Sequence, residues 1–565
     1  MSDRNSTALL EVDNLSVSFG EGTPNALSNI SFSLGRDEIL GIVGETGAGK
    51  SILARSLLNL LPEGGTFTSG DIRLEGKSLM DISDAEQRKI RGGRIAMIGT
   101  NAKALLSPVE TVGVQIARVL QAHRPCSKKE AWKSAVDLMA QVGIVNPERR
   151  AKAYPHQLSG GMAQRIVIAM AMVAGPDVVL ADDATLGLDA TIQVQVLDLL
   201  VKRCRELGAG AVIITHDLGI VAHYCDRVAI MKEGRIVELR EVGAFLKEPK
   251  EEYGKELLDA ARVRPTPMVP RAEVAPQPAE NATRHEEPLL DVRRLLKIFP
   301  IAGTQDVVRA IDDVSFSVKR GETLALVGES GSGKTTIGQC LVRLLDSDGG
   351  GITFDGADIT TMADKEFRNI RRRIQIVFQE PYVSLNPRWP VKALVAEPLR
   401  LDPTLDRAAT DKRVRELIDL VQLPANIADV YPHQLTAGEQ KRVGIARALA
   451  TRPDFVVFDE PTTALDIRVR AQIIDLVREL QAEMGMSALF ITHDLNSVRS
   501  LAHRVAVMRY GKIVEEGETE TIFSAAKEEY TKALLAAELP VEQGAAQRDR
   551  AEARRISDLA AGVAA

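Results

Sequence analysis

The sequence predicts an α/β protein made of two tandem copies of one domain, and three observations carry that prediction. Motifs recur in one order at nearly constant spacing, short apolar runs alternate with helical patterns inside each copy, and a proline- and alanine-rich stretch separates the copies.

The repeat decides the architecture. GETGAGKS, ending at Ser51, returns as GESGSGKT, ending at Thr335, so that Lys50 and Lys334 stand 284 positions apart. YPHQLSGGM returns as YPHQLTAGE, VVLADD as VVFDE and IITHDL as FITHDL, these three pairs sharing an offset of 277. Four motifs in one order imply a duplicated domain of roughly 260 residues, not a solenoid of short units. The domains are expected over 1–262 and 289–540. Between them VRPTPMVPRAEVAPQPAENATRHEEP, residues 263–288, reads as a linker with little to bury, and 541–565 as a flexible tail of small and charged residues.

Within each copy, EILGIVG and TLALVG read as strands and KSILARSLLNLL and KTTIGQCLVRLL as helices. VVLADD, AVIIT and VAIMKEG are further short apolar runs between helical segments, which predicts a mainly parallel sheet. The stretch 105–157 and its counterpart 383–434 are mostly helical in pattern and should form a separate subdomain.

Composition narrows the class. With 565 residues, 45% of them apolar and 26% charged, the chain has the makeup of folded globular domains. Its net charge of −6 carries no basic signature, so no nucleic-acid partner is expected. Four scattered cysteines without a C-x-x-C pair suit a reducing compartment. The N-terminus lacks the charged and apolar regions of a signal peptide. No apolar run reaches the roughly 18 residues of a membrane span, so membrane association would have to come through a partner.

The chemistry-bearing motifs sit where strands end. In G-x-x-x-x-G-K-[ST] the glycines Gly44, Gly47 and Gly49, and Gly328, Gly331 and Gly333, let backbone N–H groups turn toward phosphates. Lys50 and Lys334 should reach the β and γ phosphates of a nucleotide, and Ser51 and Thr335 should bind Mg²⁺. Asp182 and Asp459, each ending an apolar strand, are the expected metal carboxylates. The next residue, Glu460 in one copy and the shorter Asp183 in the other, should polarise the attacking water.

LSGGM and LTAGE, each opening a helix, resemble the signature motif of ABC ATPases. With the lysine loops, acid strands and THD histidines, the resemblance covers about 9–262 and 289–540. It implies two tandem P-loop NTPase domains, each a RecA-like core with an antiparallel β subdomain and a helical subdomain. It also implies intramolecular pairing of the domains, each ATP lying between the glycine loop of one and the signature of the other. Ser159, Gly160 and Gly161, and Thr436 and Gly438, would then contact the γ phosphate. Phe19 and Phe299 match the aromatic that stacks on adenine, and His216 and His493 match the switch histidine. Leu188-Asp189 and Leu465-Asp466 look like the loop linking the two sites, whereas His156 and His433 read as structural.

The family's glutamine at the junction of core and helical subdomain, a contact for Mg²⁺ and the membrane partner, is Gln379 in the second copy, where the first has Thr100. Sorted by expected shared site, Thr100, Asp183 and the TAGE at Thr436, Ala437, Gly438 and Glu439 fall together, placing a carboxylate near polyphosphate. Glu460, Gln379, His493 and the SGG at Ser159 form a nearly intact set, with Met162 for Gln as its mild departure. One hydrolytic and one mainly ATP-binding site are expected.

YPHQLSGGMAQRIVIAMA, FQEPYVSLNPR, EEYGKELL and EEYTKALL are similar to the ATPases of peptide, opine and nickel importers, among them the glutathione and oligopeptide systems. That likeness implies two transmembrane permease subunits, a periplasmic substrate-binding protein and peripheral attachment at the cytoplasmic face of a bacterial inner membrane. Many members carry a C-terminal cysteine cluster; none exists here, so no iron–sulfur centre is expected. The rival classes are a soluble ABC ATPase acting on ribosomes, against which the short linker and acidic chain speak, and an exporter motor.

Overall fold

Five-residue runs such as Ile39–Val43 and Val178–Asp182 are buried at every position, the pattern of strands covered on both faces. The computed structural model describes residues 8–20, 25–262, 287–300, 307–380, 384–402, 404–463, 465–542 and 544. The expected linker, apart from 287 and 288, and the tail beyond 544 lie outside them. Two compact units result: the described residues of Met1–Arg262, with Asp466–Arg468 and Leu539–Ala565, and those of Val263–Leu465 and Val469–Glu538.

In the first unit a six-stranded sheet runs in the order Arg235–Glu241, Arg227–Lys232, Ile39–Val43, Gly210–Thr215, Val178–Asp182, Ile95–Ile98. All neighbours are parallel except the antiparallel edge strand Arg235–Glu241. A second, antiparallel sheet orders Leu27–Leu34, Leu10–Ser18, Thr66–Leu74 and Lys77–Ser78. The second unit repeats both. Its six-stranded sheet orders Ile374–Val377, Phe455–Asp459, Ser487–Thr492, Thr323–Val327, Arg504–Arg509 and Lys512–Glu518.

Alternation of side chains along each strand divides the core in two. Leu40, Ile42, Leu180, Val212 and Ile214 pack against Leu10, Val12 and Leu15 of the antiparallel sheet and Leu53 of the helix after the glycine loop. Ile39, Val43, Val179, Ala181 and Ile213 face the other way, onto Ile116, Met139, Ile166 and Leu200 of helices. The helical stretch thus has no core of its own; its buried side chains run into the cluster beneath the sheet. At about 1.5–3 kcal/mol for each fully buried aliphatic side chain, this double coverage rigidifies the strands whose ends carry the motifs. Among the described residues no helix is long and apolar enough to cross a membrane.

Candidate nucleotide site

Parallel strands put their carboxyl ends on one edge, and the motifs gather there. The glycine loops link Ile39–Val43 to helix Lys50–Ser56 and Thr323–Val327 to helix Lys334–Leu341. Gly49 and Gly333, at φ 95° and 106°, precede these helices in a left-handed conformation. A methyl group on Gly333 would lie 2.1 Å from the Ala310 carbonyl oxygen, so the loop is seated directly on the neighbouring strand.

Both loop lysines are buried and fold over the loop. Lys50 Nζ donates to the carbonyls of Gly44 (2.6 Å) and Glu45 (2.9 Å), and Lys334 Nζ to those of Gly328 (2.8 Å) and Glu329 (2.9 Å). Burial pulls the Lys50 ammonium below its ordinary range despite nearby acids. Ser51 Oγ donates to Asp182 at 3.2 Å and Thr335 Oγ1 to Asp459 at 2.9 Å. Hydroxyl and carboxylate oxygens side by side are a hard donor set that fits Mg²⁺. Among the described residues no cluster of three or more His, Cys, Asp or Glu side chains makes a metal site.

The residue after each strand's aspartate stands in strained backbone: Asp183 has φ 45° and Glu460 φ 44°. Their N–H groups donate to Ile214 and Ile491 carbonyls of the adjacent strands, both at 2.9 Å, which fixes the turn. The carboxylates then meet different company. Glu460 Oε2 accepts from Thr463 Oγ1 (2.8 Å) and Gln379 Nε2 (3.0 Å), with His493 Nδ1 at 3.4 Å. Asp183 Oδ1 has His216 Nδ1 at 3.1 Å, and among the described residues no hydrogen bond joins it to Thr100.

Thr100 does occupy the position of Gln379. Ile98 and Val377, two residues earlier, pair with Ala181 and Phe458 in matching register. Burial raises Asp459 to about 6, the Glu460 charge adding to it. Burial acts in the same direction on Glu460, but His493 and Thr463 outweigh it and hold Glu460 at about 2. Burial in turn opposes the charged form of His493, and Glu460 overcomes it, raising the histidine.

Ser159 caps helix Gly160–Met172, its Oγ accepting from Met162 N–H at 3.3 Å. Thr436 caps helix Ala437–Leu449 in a full capping box: Glu439 N–H donates to Thr436 Oγ1 (3.3 Å), and Thr436 N–H and Oγ1 both donate to Glu439 Oε2 (2.8 Å each). The Glu439 carboxylate, expected near polyphosphate, is thus turned onto its own helix start, an arrangement legible in T-x-x-E. A methyl group on Gly161 or Gly438 would meet Ile192 at 2.7 Å or Val469 at 2.6 Å, whereas at Gly160 the nearest atom is 3.8 Å away, so Ala437 is accommodated in the second copy.

Phe19 follows strand Leu10–Ser18 half-buried against the core, and Phe299, 36% exposed in strand Leu290–Pro300, has the Lys297 ammonium 5.5 Å from its ring centre. His156 and His433 stack on Tyr154 and Tyr431.

Three residues escaped the sequence reading. Tyr253 Oη accepts from Glu45 N–H (3.2 Å) and Tyr530 Oη from Glu329 N–H (3.1 Å), so the helices carrying EEYGKELL and EEYTKALL buttress the glycine loops. Lys441 lies buried in helix Ala437–Leu449 with Nζ donating to the Gln379 carbonyl and, at 3.3 Å, to that of Glu460. Burial lowers it to about 8.

Two glycine-loop, acid-strand and signature-helix sets on duplicated α/β cores define an ATP-binding cassette, and the chain belongs to the ABC transporter family, whose model matches residues 27–186 and 311–463. It is an ATPase of that type. Among known proteins it is 40% identical over 552 residues to the peptidoglycan transport ATP-binding protein YejF of Agrobacterium fabrum, covering 96% of this chain and 98% of that one. It is likewise 40% identical over 567 residues to the glutathione import ATP-binding protein GsiA of Escherichia coli strain K12, covering 96% of this chain and 91% of the relative.

Proposed function

We propose that this chain is the ATP-hydrolysing subunit of an importer for peptides or related small solutes, working with one competent and one degenerate ATP site. Importer and solute class are supported by relatives named for glutathione import and peptidoglycan transport at 40% identity over nearly the whole chain. Two transmembrane permeases, a periplasmic binding protein and attachment at the cytoplasmic face of the inner membrane follow from that reading. The domains are those expected from the repeat, 1–262 and 289–540.

The observation that carries the asymmetry is the reception of the two strand-end acids. Glu460 is gathered by Thr463, Gln379 and His493, while Asp183 is met by His216. In the competent site the Glu460 carboxylate accepts a hydrogen bond from the attacking water and aims it at the γ phosphorus, with His493 beside both. Lys334 and the loop N–H groups balance charge on the phosphate oxygens. Mg²⁺, held by Thr335 and Asp459 with Gln379, would supply further neutralisation of the phosphates. In the first copy Lys50, Ser51 and Asp182 keep the means to bind the nucleotide, with Phe19, and Phe299 in its counterpart, stacking on adenine. Ser159, Gly160, Gly161, Thr436 and Gly438 serve as phosphate contacts. ATP favours the closed pair of domains, hydrolysis releases it, and the partner permeases feel the difference.

Reconstitution tests the importer reading. The chain, reconstituted with its partner permeases into vesicles, should accumulate a peptide or glutathione delivered by the binding protein only when ATP is supplied on the side bearing this chain. Co-purification with ribosomes, or ATP-driven efflux, would overturn it.

A further inference from the structure

We propose that Lys441 is a positioning residue for ATP hydrolysis, tying the signature helix of the second copy to the main chain of Gln379 and Glu460 and so holding the Glu460 carboxylate in place. This rests on the reading of Glu460 as the group that orients water.

The ammonium is placed where it can do this. Gln379 stands two residues beyond strand Ile374–Val377 and Glu460 one beyond Phe455–Asp459, and these strands are parallel neighbours, with Val377 opposite Phe458. One Nζ therefore bridges the ends of two adjacent strands through the carbonyls of Gln379 and Glu460. Lys441 is 3% exposed, so its charge is taken out of water at a large desolvation cost. It is offset by two carbonyl dipoles and by the acids Glu460, Asp459 and Glu380 nearby.

What the bridge secures is a strained turn. Glu460 has φ 44°, a backbone state that persists only when its surroundings over-determine it. Its N–H is tied to Ile491 and its carbonyl to Lys441, so the peptide groups on both sides of the residue are held. The same ammonium fixes the backbone of Gln379, whose side chain donates to the Glu460 carboxylate.

The first copy supplies the contrast. The equivalent helix position is Gln164, 2% exposed, and its Nε2 has no hydrogen-bond partner. Asp183 shares the strained φ, at 45°, without this second tie. The bridge is present in the copy that carries Glu460 and Gln379, and missing in the copy that carries Asp183 and Thr100.

Lys441→Gln, which installs the first copy's residue, tests the assignment in the full chain alongside Lys441→Arg and Glu460→Gln. Lys441→Gln should lower kcat at least ten-fold while KM for ATP and the Kd for ATP without Mg²⁺ stay within two-fold. Its thermal midpoint at neutral pH, below the Lys441 titration, should remain near that of the parent. Lys441→Arg, which keeps the cation, should retain several-fold more turnover than Lys441→Gln. A parental kcat in Lys441→Gln, or a loss seen in KM and thermal midpoint with kcat unchanged, would overturn the proposal. If Glu460→Gln keeps full turnover, the underlying reading of Glu460 fails instead.

Discussion

Glu460→Gln and Asp183→Asn make the same chemical change at matched positions, so their ratio measures the asymmetry directly. Glu460 Oε2 is fixed by donors at 2.8 and 3.0 Å and a histidine at 3.4 Å, and the carboxyl titrates at about 2, so it is ionised at any working pH. Glutamine keeps the size but turns an acceptor into an amide whose NH₂ meets donors, and removes the charge proposed to polarise water. Loss of such a group costs about 10²–10⁴ in rate, or roughly 3–5 kcal/mol of barrier. Asp183 is one methylene shorter, and a displacement of about 1 Å already costs on the order of a hundredfold. On the proposed asymmetry the first copy contributes on the order of a hundredth of turnover, and Asp183→Asn should change kcat less than two-fold. Steady-state phosphate release from the purified full chain with saturating MgATP is the assay. Equal losses in both variants, or a larger loss in Asp183→Asn, would refute the reasoning.

Four further outcomes are expected. In the nucleotide- and Mg²⁺-free chain, Lys441 titrates at about 8 against 10.5 when unfolded, so between these values the unfolded state binds more protons. Wild type should therefore gain stability relative to Lys441→Gln as pH rises through that window, by about 3 kcal/mol, read from denaturant midpoints at each pH. Gly333→Ala places a methyl 2.1 Å from a carbonyl at φ 106° and should cost about 2 kcal/mol or more, whereas Gly331→Ala, at φ 77° with open space, should cost only about 1 kcal/mol by thermal unfolding. Tyr530→Phe removes the acceptor for Glu329 N–H and, at about 1 kcal/mol for the bond, should raise KM for ATP about five-fold with kcat unchanged. Gln164→Met replaces a buried, unpartnered amide and should raise stability by about 1 kcal/mol, seen as a higher thermal midpoint.

The chain order alone determined the duplication, the α/β class, the helix-start positions of Lys50 and Lys334 after the glycine loops, and the strand-end positions of Asp182, Asp459, His216 and His493. Each of these is announced by contiguous residues whose local chemistry is its own signal: glycines before a lysine, an apolar run before an acid. The correspondence of Thr100 with Gln379 was equally legible, because the two copies serve as each other's alignment. Tertiary structure decided the rest. The hydroxyl of Tyr253 reaches across 208 residues to Glu45, Tyr530 across 201 to Glu329, and Lys441 across 62 to Gln379. Such contacts arise from the order of strands in the sheet, which no local periodicity encodes. The same holds for the company each strand-end acid keeps: Asp183 and Glu460 differ by one methylene in the sequence, but only the packed sheet edge brings Thr463, Gln379 and His493 around one of them. A carboxylate's reach is local chemistry, whereas its hydrogen-bond partners are set by backbone paths far apart in the chain.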